Sequence, residues 1–269
     1  MFILMSVPAV FAQLALATAT PSNAADFGIR DAGALVRSLP STVSPPKMSP
    51  ELALQVYQQR QQEQAVKLAA YSDQTVMVAD LPDSKQKGEY QLERSYAAPN
   101  TLKFKPVKFN GDNFVKNNVL VRLLQSEVDH VVKQESSLTA VNEKNYKFSL
   151  KSSEVLDGRP VYVYNVKPVK KRVGLFKGKV FIDASTGSIV KAEGSMVKSP
   201  SIFIRKMEFV QDYAEVAGFV FPTHIHSVAK VRIIGRTIVD IFHRDYQPKA
   251  STDVRTASNS FATSSMGSN

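Results

Sequence analysis

The second half of the chain is a series of short runs that alternate apolar and polar residues, with turn residues but no helical segment between them. Asp157-Gly158 separates the runs KFSLKSSEVL and PVYVYNV, and Thr186-Gly187 separates two further runs. A two-residue Asp-Gly connection is typical of a tight β-hairpin. Successive hairpins pair strands antiparallel, because parallel pairing would need long crossover segments. Residues 146–246 therefore predict one antiparallel sheet.

The first half of the chain adds two helices and further strands. Ser49, Pro50 and Glu51 predict a helix start, because serine caps a first turn that accepts proline and acids. We expect this helix to run to about Ala70. Apolar residues at helical spacing predict a second, amphipathic helix over roughly residues 113–134. Strands are predicted at Thr75–Leu81, Glu89–Tyr96 and Thr101–Phe109, the last two joined by a turn at Pro99-Asn100.

These elements together define a fold class. An antiparallel sheet of about nine to eleven strands tends to curl, and amphipathic helices bury their apolar stripes against one face of it. The sequence therefore predicts an α+β fold, a curved antiparallel sheet with helices covering its concave face. The space enclosed between helices and sheet would be apolar, and ligands bind in such spaces.

The N-terminal segment predicts export. Residues 2–19 form an uncharged hydrophobic run that ends in small residues, and Ser22-Asn23-Ala24 fits the small-x-small cleavage pattern. We predict a cleaved signal peptide over residues 1–24, with Ala19 as the next cleavage site; a membrane-spanning helix is the alternative, but it would be short and poorly apolar. Three further segments follow: a Pro/Ser-rich flexible segment (25–49), one folded domain (50–248) and a disordered Ser/Thr-rich tail (249–269).

The charge balance bears on partners. The chain has 34 Lys and Arg against 24 Asp and Glu, a net charge of +10. Such a balance favours an anionic partner, although the charge could also be simply solvated. Export argues against nucleic acid and leaves an anionic membrane surface. The absence of cysteine excludes disulfides, a thiolate zinc site and a cysteine nucleophile.

Three histidines lie close together near the C-terminal end. If Gly235-Arg236 is a two-residue hairpin turn, four polar residues share one face of the hairpin. These are His224, His226, His243 and Asp245. Such a set could hold zinc, but Lys230 and Arg232 would lie on the same face, and the outer face of a half-buried sheet gives the same pattern. We therefore predict an outer polar face and no metal site.

Motifs of catalysis are missing from the sequence. It contains no GxSxG elbow, P-loop, HExxH pair or Rossmann glycine run. We predict that the protein is not an enzyme and has no cofactor. An enzyme that uses the four-residue polar face is the least favoured alternative.

Four segments between Tyr162 and Tyr246 carry a resemblance to a known family. They read YVYNVKP, LFKGKVFIDASTGSIVKAEG, SPSIFIRKMEFVQDY and FVFPTHIHS. This stretch resembles the LolA-like outer-membrane lipoprotein-sorting proteins, in a branch distinct from the well-known carrier. The resemblance implies a periplasmic protein, an open half-barrel with helices as a lid, and an apolar cavity for acyl chains. It also implies an arginine that tethers the lid, which the sequence does not assign to a position.

The walls of this cavity are predicted on two strand faces and one helix face, although each residue could equally be ordinary core. They are Phe176, Val180 and Ile182; Phe203, Met207 and Phe209; and Leu120, Leu124 and Val128. The expected function is a periplasmic carrier that binds lipid acyl chains or acylated lipoproteins and delivers them toward the outer membrane without covalent chemistry. The carrier would contact anionic membrane surfaces transiently. The alternative is an envelope regulatory or scaffolding module that binds a protein partner and senses lipid.

Overall fold

Ten β-strands form one antiparallel sheet in the computed structural model, which describes residues 47–199, 202–232 and 234–251. The predicted signal peptide lies outside these residues and stays a prediction. Most of the predicted Pro/Ser-rich segment and of the predicted Ser/Thr-rich tail also lies outside them. The strands are β1 Leu68–Leu81, β2 Gln86–Ala97, β3 Thr101–Gly111, β4 Tyr146–Leu156, β5 Arg159–Pro168, β6 Phe176–Asp183, β7 Ile189–Met196, β8 Ile204–Val216, β9 Phe219–Val231 and β10 Gly235–Ala250.

The sheet is curved and does not close into a barrel. Its strand order is β3-β2-β1-β10-β9-β8-β7-β6-β5-β4, so β3 and β4 are the two edges. This arrangement confirms the predicted α+β class and the predicted number of strands. Asp157 and Gly158 both have positive φ, 49° and 78°, in a two-residue turn between β4 and β5, as the Asp-Gly pattern predicts.

The connection from β3 to β4, residues 112–145, crosses the sheet; we call it the crossing segment. These strands follow each other in the chain but lie at opposite edges, so the connection must pass over one face of the sheet. It contains α2 Asn113–Val115, a π-helical turn Lys116–Leu120, α3 Val121–Val132 and α4 Ser136–Thr139. The predicted helix at 113–134 is confirmed, with a π-helical turn inside it. The face that it covers is called the inner face.

Helix α1, Pro50–Lys67, also lies on the inner face. The Ser49 hydroxyl accepts a hydrogen bond from the Leu52 amide at 3.2 Å, which confirms the predicted start. The helix ends before Ala70 because Leu68 already belongs to β1. The Tyr57 hydroxyl donates to the Val141 carbonyl at 2.8 Å, so α1 contacts the crossing segment. Within the described ranges, no helix is both long and apolar enough to span a bilayer.

The turn between β9 and β10 differs from the prediction. Gly235 pairs with Val231 as the first residue of β10, so Gly235-Arg236 is not the hairpin turn. Gly235 has a φ of 78°, and a Cβ there would lie 1.7 Å from a carboxylate oxygen of Asp83. That carboxylate accepts a hydrogen bond from the Arg236 amide at 3.0 Å. The glycine is therefore needed for a close contact with the β1–β2 turn, which its sequence position alone does not reveal.

Candidate functional site

The inner face carries separate apolar clusters beneath the two helical layers. Beneath α1, Phe176, Val180, Ile182 and Phe209 are at most 3% exposed and belong to one cluster with Tyr57. Beneath the crossing segment, a second cluster contains Met207 and Leu120, with the partly buried Leu124 packed against it. The structure thus places the predicted wall residues of β6 under α1, whereas the prediction had placed the amphipathic helix opposite them. Their role as ligand contacts stays a prediction.

Two predicted wall residues lie elsewhere. Phe203 is in the turn before β8 and is 38% exposed. The strand begins at Ile204, and a register shift between Ile204 and Lys206 breaks the alternation that would continue the face of Met207. Val128 packs against a third cluster, at the end of the inner face where Tyr71 and Phe221 lie.

Side chains of the helices fill the space above the predicted wall. Clefts of about 560 Å³ and about 430 Å³ border α1, and polar residues of this helix line part of each, Arg60 the first and Gln62 the second. None of the nine predicted wall residues lines either cleft. Six of the nine are at most 3% exposed beneath the helical layers: Phe176, Val180, Ile182, Met207, Phe209 and Leu120.

Gln64 fixes the C-terminal half of α1 to the sheet. Its side-chain amide donates to the Val220 carbonyl at 2.9 Å and accepts from the Val220 amide at 2.8 Å. We expect Gln64→Leu to lower the free energy of unfolding by about 1–3 kcal/mol, because the buried backbone groups of Val220 lose these partners. Urea unfolding measures the change. The exposed Gln62→Leu on the same helix is the matched control and should stay within about 0.5 kcal/mol of the parent; equal losses in both variants would contradict the assignment.

A buried polar cluster connects the crossing segment to three strands of the inner face. Its members are Asp73 and Thr75 of β1, Arg94 of β2, Glu127 of α3, and His243 and Tyr246 of β10. Arg94 is 4% exposed and donates to Asp73 at 2.7 Å, to Glu127 at 2.8 Å and to the Tyr246 hydroxyl at 2.9 Å. Its guanidinium also lies over the Tyr71 ring. One buried cation thus holds α3 against the sheet.

The charges of this cluster are set by burial and by Arg94. Burial alone would raise the pKa of Asp73, but the Arg94 guanidinium and hydrogen bonds from His243 and Thr75 lower it to about 2. Burial and the charge of Arg94 lower the pKa of His243, although Asp73 acts in the opposite direction. His243 is therefore neutral near pH 7. The Thr75 hydroxyl donates to Asp73 at 2.7 Å, which assigns the imidazole proton to Nδ1, 2.9 Å from Thr75 and 3.2 Å from Asp73.

Sequence reasoning missed this cluster, yet two signals for it were present. Asp73 and Arg94 are register partners in the β1–β2 hairpin, so opposite charges occupy facing inner positions between apolar neighbours. Glu127 follows Leu120 and Leu123 at helical spacing, which places a carboxylate in the apolar stripe. The arginine that the resemblance implies as a tether of the lid had no position in the sequence and stays unassigned.

The predicted polar face of β9 and β10 is divided between the two faces of the sheet. His226 pairs with Asp240, and His224 with Phe242, on the outer face. His224 and His226 both contact one Asp240 oxygen, at 2.8 Å and 2.9 Å. His243 lies on the inner face in the buried polar cluster. The grouping of four residues was therefore wrong, because it rested on the misplaced turn. The fourth residue, Asp245, has a φ of 56° and lies beside a shift in the register between β10 and β1.

No group of three or more His, Asp or Glu side chains within the described ranges is arranged to hold a metal ion. His224 instead stacks on Phe242, with ring centroids 4.5 Å apart. The outer-face histidines are thus held by a shared carboxylate and an aromatic neighbour.

Comparisons with known proteins give likenesses at the level of structure. No protein-family model matches the chain, and no curated protein matches it significantly. A structure described as an outer membrane lipoprotein-sorting protein domain, from Vibrio parahaemolyticus, is 10% identical with a TM-score of 0.41, over 76% of this chain and 94% of that one. A LolA superfamily protein from Nitrosomonas europaea is 12% identical with a TM-score of 0.37, over 74% and 95%.

A DUF1329 family protein from Desulfovibrio piger is also similar, at 12% identity and a TM-score of 0.39, over 77% of this chain and 94% of that one. The family that the sequence resembles is thus found again among solved structures similar to this chain. At these identities and TM-scores the likeness concerns the fold alone.

Proposed function

We propose that this protein is a periplasmic carrier that takes up acyl chains of lipids or acylated lipoproteins between its helices and the inner face of the sheet. It delivers them toward the outer membrane without covalent chemistry. The observation that carries the proposal is the division of the interior: apolar clusters on the sheet are covered by separate helical layers rather than by a second sheet. Export through the predicted signal peptide is part of the proposal.

The free energy of burying an acyl chain favours replacement of helix contacts on the sheet by a bound chain. Each buried CH₂ of an acyl chain contributes about 0.8 kcal/mol, so one chain gives useful and reversible affinity. Lifting the crossing segment exposes Leu120, Leu123 and the partly buried Leu124, and an acyl chain would replace the contacts that these residues lose. The Arg94–Glu127 contact is polar, so water can satisfy both groups once the helix has moved.

Two buried oxygens can accept hydrogen bonds from a polar group near the bound acyl chain. Gln211 Oε1 and Thr237 Oγ1 are buried without a hydrogen-bond partner among the described residues. Gln211 is 1% exposed and lies on the same strand as Phe209. A donor near the acyl linkage, such as a peptide amide, would meet an acceptor there.

The proposal is tested by mass spectrometry of an organic extract from protein purified from a bacterial periplasm, and by uptake of a fluorescent fatty acid. We expect a lipid or acylated peptide in the extract, and about tenfold weaker uptake by Leu124→Gln, because its side chain faces the apolar cluster. Val121→Gln, on the exposed side of α3, is the matched control and should bind the probe like the parent.

Two results would count against the carrier. An empty extract together with no uptake by the parent protein would reject it. Equal uptake by the folded Leu124→Gln and Val121→Gln variants would reject this site. Circular dichroism of both variants verifies that folding is unchanged.

A protein-binding module remains the second candidate, favoured by one observation. The edge strand β4 exposes apolar side chains, with Leu150 50% and Val155 73% exposed. An open strand edge can pair with an extended segment of another protein. Recovery of a stoichiometric envelope protein by pull-down, lost in Leu150→Asp, would favour this function over the carrier.

A further inference from the structure

Four loops lie side by side at one end of the sheet. They are the β1–β2, β9–β10, β7–β8 and β5–β6 connections, and hydrogen bonds from backbone amides link them in that order, the first to a side-chain carboxylate and the other two to carbonyls. The Arg236 amide donates to Asp83 at 3.0 Å, the Arg232 amide to the Phe203 carbonyl at 2.8 Å, and the Val197 amide to the Leu175 carbonyl at 3.0 Å. The described residues of these loops and of the strand ends beside them lie at one end of the sheet and are here called the basic rim.

Exposed cations dominate the basic rim. They are Lys170, Lys171, Arg172, Lys198, Arg205, Lys230, Arg232 and Arg236. None of them forms an ion pair with another described residue. Of the acids nearby, Asp80 pairs with Lys87, whereas Asp83 accepts the Arg236 amide and keeps its negative charge. At the opposite end of the sheet, by contrast, Arg60 pairs with Glu215 and Lys67 with Glu63.

Exposed apolar side chains lie among these cations. Ile202 is 77% exposed in the β7–β8 loop, and Val169 is 48% exposed directly before Lys170. Single exposed apolar residues are common on protein surfaces. Here they project from the same loops as the unpaired cations, and a lipid headgroup layer accommodates both: phosphates receive the cations, and the acyl boundary receives the apolar tips.

We infer that the basic rim docks on an anionic lipid bilayer. Docking by this rim sets the strands end-on to the membrane. It also brings the start of the crossing segment to the bilayer, because the Asp112 amide donates to the Lys87 carbonyl at the same end of the sheet. The inference stands independently of the carrier function, since it concerns the surface and not the interior.

The test is cosedimentation of the protein purified from a bacterial periplasm with vesicles of phosphatidylcholine, with and without phosphatidylglycerol. Each basic residue near an anionic surface contributes about 1 kcal/mol, so we expect Lys170→Ser/Lys171→Ser/Arg172→Ser to bind anionic vesicles on the order of 100-fold more weakly. The control triple, Lys103→Ser/Lys151→Ser/Lys249→Ser, removes the same charge from exposed positions outside the rim. It should lose no more than about threefold through the general field of the protein.

A third variant separates a bilayer from an acidic protein. Ile202→Asn should weaken binding to anionic vesicles about tenfold but leave binding to poly-glutamate unchanged, because only a bilayer receives an apolar side chain. The inference is overturned if the parent chain does not bind anionic vesicles, if both triples lose affinity equally, or if Ile202→Asn binds vesicles like the parent.

Uptake of the fluorescent fatty acid is measured in parallel on the rim triple. Loss of vesicle binding with normal uptake supports the rim as a separate surface. Vesicle binding by a parent chain that takes up no fatty acid would reject the carrier and leave the rim standing.

Discussion

Arg94→Met is expected to lower the free energy of unfolding by about 3–5 kcal/mol, the range for removing one partner of a buried ion pair. The substitution keeps much of the side-chain length but leaves the Asp73 carboxylate, which is fully buried, without its cation. It also leaves Glu127 of α3 and the Tyr246 hydroxyl without a donor from β2. The loss should exceed the loss caused by breaking an ion pair at the exposed surface of the molecule.

Urea unfolding measures this change, with Arg159→Met as the control. Arg159 is exposed on β5, and its variant should stay within about 0.5 kcal/mol of the parent. A double variant, Arg94→Met with Asp73→Asn, should lose less than the sum of the two single losses, because no buried charge then remains at Asp73. Additive losses would show that Arg94 and Asp73 do not act as a pair.

Hydrogen exchange distinguishes a tether from ordinary core. If Arg94 holds α3 to the sheet, amides of α3 should exchange faster in Arg94→Met under conditions where the strands stay protected. Glu127→Gln should produce a smaller effect of the same kind, because the glutamine can still accept one hydrogen bond from Arg94. Uniform acceleration over the whole chain would assign Arg94 to global stability alone.

Lowering the pH from 7 is expected to destabilise the protein in two stages. His243 has a lowered pKa in the folded state, so below about pH 6.5 the unfolded chain binds protons that the folded protein does not, and stability falls. Asp73 ionises with a pKa of about 2 against an ordinary 3.8, which corresponds to about 2.5 kcal/mol. That contribution is complete above about pH 4 and is lost as the pH falls toward 2.

Urea unfolding between about pH 7 and pH 2 measures both stages. His243→Gln should flatten the upper stage, although not entirely, because burial also lowers the pKa of His130. An unchanged slope in His243→Gln would show that the imidazole is not held neutral in the folded protein.

The sheet and the helices could be predicted from local pattern because each hairpin has its own turn signal. Asp157-Gly158 defines the β4–β5 register without any distant contact, and the apolar stripe of residues 113–134 is visible within one element. Ser49 likewise determines the start of α1 through its own side chain. These features depend on neighbours in sequence, which is the information that a sequence pattern contains.

The place of His243 in the buried polar cluster could not be predicted because it depends on register between distant strands. Placing the β9–β10 turn at Gly235-Arg236 pairs His226 with Asp245, whereas the structure pairs it with Asp240. The error is an odd number of residues, so it moves every β10 side chain to the opposite face relative to β9. His243 was predicted on the outer face, whereas in the structure it lies on the inner face as a partner of Asp73. Gly235 is needed because it lies against Asp83, and this tertiary contact is not visible in the local sequence.

The pairing of β1 with β10 has a consequence for how the chain can be assembled. These strands are the first and the last of the sheet in sequence, yet they lie side by side within it. Every other neighbouring pair is formed by strands that are consecutive in the chain, so those hairpins can form as each stretch becomes available. The seam between β1 and β10 closes only after the final strand has formed. Until then, the strands can pair only as two separate sheets, β1–β3 and β4–β9, which leaves the apolar interior incomplete.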